Sequence, residues 1–96
     1  MNLLMDGKFI VFKIFKHYDI IYIIMNKCQI HQTVQIINPV NLYECLLKKN
    51  SFVGPFTEIQ NDVVVGENTR ISSHCFICSK VTIGDNCFLG HSIVFT

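Results

Sequence analysis

"VTIGDNCFLGHSIVFT", Val81 to Thr96, holds two six-residue phrases back to back: IGDNCF from Ile83 to Phe88, and LGHSIV from Leu89 to Val94. Each opens on an aliphatic residue, follows it with Gly, and puts a small or β-branched residue four places on. A period of six is neither the 3.6 residues of an amphipathic helix nor the two of a half-buried strand. Reading outward, every sixth residue from Leu47 is apolar: Leu47, Val53, Ile59, Val65, Ile71, Ile77, Ile83, Leu89 and Phe95. Four places on stand Ser51, Thr57, Val63, Thr69, Cys75, Val81, Cys87 and Ile93, all small or β-branched. Gly54, Gly66, Gly84 and Gly90 follow the aliphatic directly.

Upstream, Ile30, Ile36 and Leu42 keep the spacing, with Val34, Val40 and Leu46 four places on. The step from Leu42 to Leu47 is five, so one corner of the first coil is expected to be a residue short. The pattern predicts an all-β fold, a left-handed parallel β-helix of just under four coils from Ile30 to Thr96. Three hexads make one triangular coil. Aliphatics fill the prism, glycines are expected to permit tight corners, and backbone hydrogen bonds join coils about 4.8 Å apart. The hand is taken from the repeat type, since parallel crossovers are otherwise right-handed.

Residues 1–29 read as an N-terminal extension and 30–96 as the β-helix domain, cut short at its C-terminal end. In the extension, "KFIVFKIFKHYDIIYIIM" (Lys8 to Met25) is broken by Lys13, Lys16, His17 and Asp19. It is too short of uninterrupted apolar residues for a membrane helix, which needs about 18, and lacks a small-residue cleavage site. Ile10 to Phe12 and Ile20 to Ile24 suit strands. The segment either caps the first coil or precedes a natural start at Met25.

Eight basic and seven acidic residues leave the net charge near zero, and no basic run supplies a nucleic-acid or membrane-surface footprint. Five cysteines (28, 45, 75, 78 and 87), odd in number and without a secretory leader, predict free and mostly buried thiols in a reducing, cytoplasmic setting. Cys75 and Cys78 have redox or zinc-knuckle spacing, but no second pair accompanies them.

Residues eighteen apart should stack. Asn50, Asn68 and Asn86 then form a corner column, a place where Asn tolerates left-handed backbone. Another corner stacks Pro55, Ser73 and His91 beside Phe56, His74 and Ser92. His74 and His91 should therefore lie close together on outward positions of adjacent coils. His31 falls two to three coils away and His17 in the extension.

From "INPVNLYEC" (Ile37 to Cys45) through "VGPFTEIQ" (Val53 to Gln60), "ISSHCFIC" (Ile71 to Cys78) and "FLGHSIVFT" (Phe88 to Thr96), the chain resembles the hexapeptide-repeat acyltransferases. Within them it is most similar to the nucleotide-sugar N-acetyltransferases. The resemblance implies a homotrimer with clefts between prisms, in which acetyl passes from acetyl-CoA to the amine of a UDP- or dTDP-linked amino sugar. It implies His91 as base, or a substrate that carries its own proton away. Ser92 is a second catalytic candidate, with His74, Ser73 and Gln60 as sugar or nucleotide contacts. No metal is implied.

In similar proteins the phrase at Val94 to Thr96 runs on into further coils that carry much of the acetyl-CoA cleft. The chain therefore reads as the N-terminal, sugar-side portion of such an enzyme, with weak or absent acetyl-CoA binding expected. Two alternatives stand beside this: a non-catalytic solenoid assembling with itself or longer relatives, and a gamma-carbonic-anhydrase-like metal protein, which needs three converging histidines.

Overall fold

A computed structural model of the chain describes the strands at 2–5, 8–15 and 20–25 and all of 27–96; the side chains of 1–26 lie outside the described residues. From residue 27 onward the chain winds into a triangular prism of four coils with three short strands each. One face stacks β4 (Cys28–His31), β7 (Leu46–Leu47), β10 (Val64–Val65) and β13 (Thr82–Ile83). The second stacks β5 (Gln35–Ile36), β8 (Phe52–Val53), β11 (Arg70–Ile71) and β14 (Phe88–Leu89). The third stacks β6 (Asn41–Leu42), β9 (Glu58–Ile59), β12 (Phe76–Ile77) and β15 (Val94–Phe95). All pairs within these stacks are parallel, as in the left-handed hexapeptide β-helix.

Register follows from the hexads. Val64 pairs with Thr82, Arg70 with Phe88 and Phe76 with Val94, a coil of eighteen. In the first coil Gln29 pairs with Leu46, Gln35 with Phe52 and Asn41 with Glu58, a coil of seventeen. The five-residue step is thus a shortened corner. Asp62 and Lys80 hold left-handed backbone at that corner in later coils, with φ of 61° and 67°, and Glu44 does not.

Each aliphatic sits on the one below it, and Leu47, Val53, Ile59, Val65, Ile71 and Ile77 are fully buried. The second inward position does a different job. Thr57 Oγ1 donates to the Ser72 carbonyl (3.2 Å), Thr69 Oγ1 to Gly84 (2.6 Å) and Cys75 Sγ to Gly90 (3.2 Å). The two threonine oxygens also accept the N–H of Cys75 and of Cys87. Corner groups that the strand ladder leaves over are satisfied there, and no buried side-chain N or O among the described residues is unpaired.

Glycine plays another part than the sequence suggests. The left-handed backbone falls two residues later, at Asn50, Asn68 and Asn86 (φ 59°, 58° and 57°) and at Phe56, His74 and Ser92 (61°, 61° and 62°). Gly66 and Gly54 instead let neighbouring coils close on each other. A Cβ on Gly66 would overlap the Gly84 carbonyl group, and one on Gly54 would lie 2.8 Å from the Ser72 carbonyl carbon.

Strands β1 (Asn2–Met5), β2 (Lys8–Phe15) and β3 (Ile20–Met25) pair antiparallel with one another, and β3 pairs antiparallel with β4. The stretches at Ile10 to Phe12 and Ile20 to Ile24 are strands, as their composition predicts. They extend the first face and occupy an edge that β4 would otherwise present unpaired. His17 lies outside the described residues. No helix among the described residues is long and apolar enough to cross a membrane.

If close coil approach is what Gly66 provides, Gly66→Ala should destabilise the fold by about 1–3 kcal/mol. Gly84→Ala should cost far less, because its Cβ would meet only Cys87 Sγ, at 3.9 Å. Urea unfolding of the two variants measures the difference.

Candidate functional site

The corner between the second and third faces is closed by main-chain bonds from coil to coil. Phe56 N–H donates to the Pro39 carbonyl (2.6 Å), His74 N–H to Pro55 (3.0 Å) and Ser92 N–H to Ser73 (3.0 Å). With the backbone occupied, the side chains of this corner project outward. His74, His91 and Ser92 are exposed, and Ser73 is half-buried.

The two histidines occupy adjacent columns, as eighteen-residue stacking predicts, and each makes its contact within its own column. His91 Nδ1 lies 2.8 Å from Ser73 Oγ, and Ser73 N–H donates to the same nitrogen at 3.3 Å. His74 stacks on Phe56, with ring centroids 5.0 Å apart and planes 24° from parallel. Phe56 was no candidate on its own, being an apolar residue in a variable position. Its membership of the His74 and Ser92 column is the sequence signal that finds it. The ring is 60% exposed, a large apolar surface set beside imidazole and hydroxyl groups.

Gln60 stands elsewhere, at the far end of β9. Its Nε2 donates to Glu58 Oε2 (2.9 Å), and its Oε1 accepts from Ser79 Oγ (3.4 Å). The structure therefore gathers Ser73, His74, His91 and Ser92 on one corner and leaves Gln60 on the next. Beyond Gln60, Asn61 joins Lys27, Asn41, Tyr43 and Glu44 around a shallow depression of about 490 Å³.

The remaining chemistry-bearing residues have structural partners. His31 is buried on the first face, where its Nδ1 meets Thr33 Oγ1 at 2.8 Å and Thr33 N–H at 3.2 Å. Burial, and then the Lys49 charge, lower its pKa below the ordinary imidazole value, with Glu67 opposing. All five cysteines are free thiols. Cys28, Cys45 and Cys75 are buried, and Cys78 and Cys87 are half-buried. Cys45 Sγ lies 3.6 Å from Cys28 Sγ, and that hydrogen bond together with burial raises the Cys45 pKa far above its usual value. Such a thiol stays protonated and unreactive. Cys75 does a threonine's work toward Gly90 and forms no pair with Cys78. Among the described residues no three His, Cys, Asp or Glu side chains converge.

Residues 44–79 match the bacterial transferase hexapeptide family, described as six repeats. The match takes in Ser73, His74 and Gln60. Among solved structures the chain is similar to a Bacillus cereus protein provisionally assigned as an acetyltransferase, at 23% identity and a TM-score of 0.59. The alignment covers 62% of this chain and 36% of that one, so the chain spans little more than a third of that protein's length. No curated protein matches the chain. The likeness establishes the fold: a hexapeptide-repeat β-helix, with repeats of the kind found in bacterial transferases.

The buried imidazole gives a pH dependence with a definite sign. A folded pKa below the unfolded value of about 6.5 means that the unfolded chain binds the proton more readily. The contribution of neutral His31 is present above that value and is lost as pH falls from it toward the folded pKa. Urea midpoints measured from pH 7.5 down to 5 should fall in wild type, and less steeply in His31→Gln.

Proposed function

We propose that this solenoid serves an N-acetyltransferase reaction, moving acetyl from acetyl-CoA to the amine of a UDP- or dTDP-linked amino sugar. The observation that carries the reading is the exposed corner on which His91 and Ser92 stand directly above Ser73 and His74. It is supported by the transferase-type repeats beneath that corner and by the resemblance of "ISSHCFIC" and "FLGHSIVFT" to nucleotide-sugar acetyltransferases. Acetyl-CoA enters as a substrate, and the proposed setting is the cytoplasm, where the five thiols stay reduced.

In the proposed reaction the amine nitrogen attacks the thioester carbonyl. The N–C bond forms, the C–S bond breaks, and coenzyme A leaves as a thiol carrying the proton that the amine gives up. Such a step needs a neutral amine, a carbonyl held at contact distance and a hydrogen-bond donor aimed at the developing oxyanion. His91 and Ser92 are assigned to the reacting atoms. Ser73, His74 and, from the next corner, Gln60 are assigned to the sugar and nucleotide. The Phe56–His74 stack offers a flat apolar edge against which a sugar or base can lie.

A projecting corner supplies only one wall of a site, whereas small-molecule sites are concave. The proposed assembly is therefore a homotrimer in which a neighbouring prism supplies the other wall.

The test is release of coenzyme A thiol from acetyl-CoA in the presence of a panel of UDP- and dTDP-linked amino sugars, with titration calorimetry alongside. Turnover with one of them is expected, and His91→Ala should lower kcat/KM by about 100-fold or more. Neither thiol release nor heat with any donor–acceptor pair, in protein shown to be trimeric by light scattering, would overturn the reading.

A further inference from the structure

We propose that His91 offers a proton rather than a lone pair to a ligand at this corner: Ser73 holds the neutral ring as the Nε2–H tautomer and is its positioning residue. The chemical use drawn from this rests on the acetyl-transfer reading, but the tautomer itself does not.

The decisive contact is the weaker of the two. A main-chain amide can only donate, so the Ser73 N–H 3.3 Å from His91 Nδ1 requires that nitrogen to be bare. The serine hydroxyl at 2.8 Å could by itself donate or accept, but against a bare nitrogen it must donate. A neutral imidazole carries one proton, which is then on Nε2.

The equivalent position one hexad earlier makes the same demand. Asp85 stands two places after Ile83, as His91 stands two places after Leu89. Asp85 Oδ1 accepts the N–H of Glu67 at 2.7 Å, eighteen residues below, just as His91 Nδ1 accepts that of Ser73. The reason lies in the coil. Around Ser73, the N–H groups of Ser72 and His74 already reach the carbonyls of Leu89 and Pro55. Around Glu67, those of Gly66 and Asn68 reach Ile83 and Lys49. At each of these two corners one amide is left over, and a side chain from the next coil accepts it. At Asp85 the acceptor is a carboxylate, which when ionised has no proton to give.

The basic nitrogen of His91 is therefore engaged within the corner, and Nε2–H is the group left to meet a ligand. In the acetyl-transfer reaction this suits a donor to the thioester oxygen. As the amine adds, the carbonyl electron pair moves onto oxygen, and Nε2–H stabilises it without losing its proton. The pair returns as the C–S bond breaks, and the amine's proton goes to the departing sulfur, directly or through water. His91 takes no proton at Nε2, so the substrate disposes of its own.

Long-range ¹H–¹⁵N correlation spectra of the full chain, labelled in histidine and recorded at pH 8, read the tautomer directly. The expected His91 pattern is a bare-type Nδ1 and a protonated-type Nε2. Ser73→Ala removes only the hydroxyl and keeps the main-chain amide, so the split should narrow without vanishing, and Ser73→Thr should restore it. A protonated Nδ1, or averaged nitrogens in wild type, would overturn the tautomer assignment. Fully averaged nitrogens in Ser73→Ala would overturn the role given to the amide, and an unchanged split would overturn the role given to the hydroxyl. These spectra decide the matter whether or not acyl transfer is detected, so a failure of the enzymatic reading is seen separately.

Discussion

The ladder of main-chain bonds from one coil to the next is the constraint on which this protein depends. Val64 N–H reaches the carbonyl of Val81, Arg70 that of Cys87 and Phe76 that of Ile93, and each face repeats the pattern. Parallel pairing in coils of eighteen has one side-chain consequence: every residue sits on its counterpart in the next coil. An aliphatic at every sixth position then becomes a continuous core, and a single misplaced charge there would be buried with nothing to pair it. The solenoid gains its order from this repetition, because each coil must satisfy only its neighbours.

The same ladder leaves a deficit at its corners, and the chain's less obvious residues answer it. Thr57 and Thr69 bridge carbonyls and amides inside the prism, and Cys75 donates to the Gly90 carbonyl. Asp85 and His91 cap leftover amides outside it. His91 is thus a structural cap and at the same time an exposed outward group of the corner. A titratable side chain with one nitrogen committed to the backbone has only the other for a ligand. That commitment shapes what chemistry the corner can support more than the residue type does.

Stacking also separates residues that sequence proximity suggests should cooperate. Cys75 and Cys78 have motif spacing, yet Cys75 is spent on the Gly90 carbonyl. Cys28 and Cys45, seventeen apart and unremarkable in the sequence, come within 3.6 Å because the first coil is one residue short. His74 and His91 share a corner, but column geometry gives one a phenylalanine and the other a serine. Gln60 belongs to the neighbouring corner, although its number lies close to Phe56.

The sequence by itself determined the β-helix, the seventeen-residue first coil, the left-handed asparagine column and the corner that collects Ser73, His74, His91 and Ser92. All of these follow from period and spacing, which a solenoid converts into position almost without tertiary information. Only the tertiary structure decided that Gly66 and Gly54 serve the approach of adjacent coils rather than the turn itself. It alone joined Phe56 to His74 and directed His91 Nδ1 toward the Ser73 amide. Those outcomes depend on side-chain direction and on which backbone groups remain unpaired, quantities that exist only once one coil lies on another.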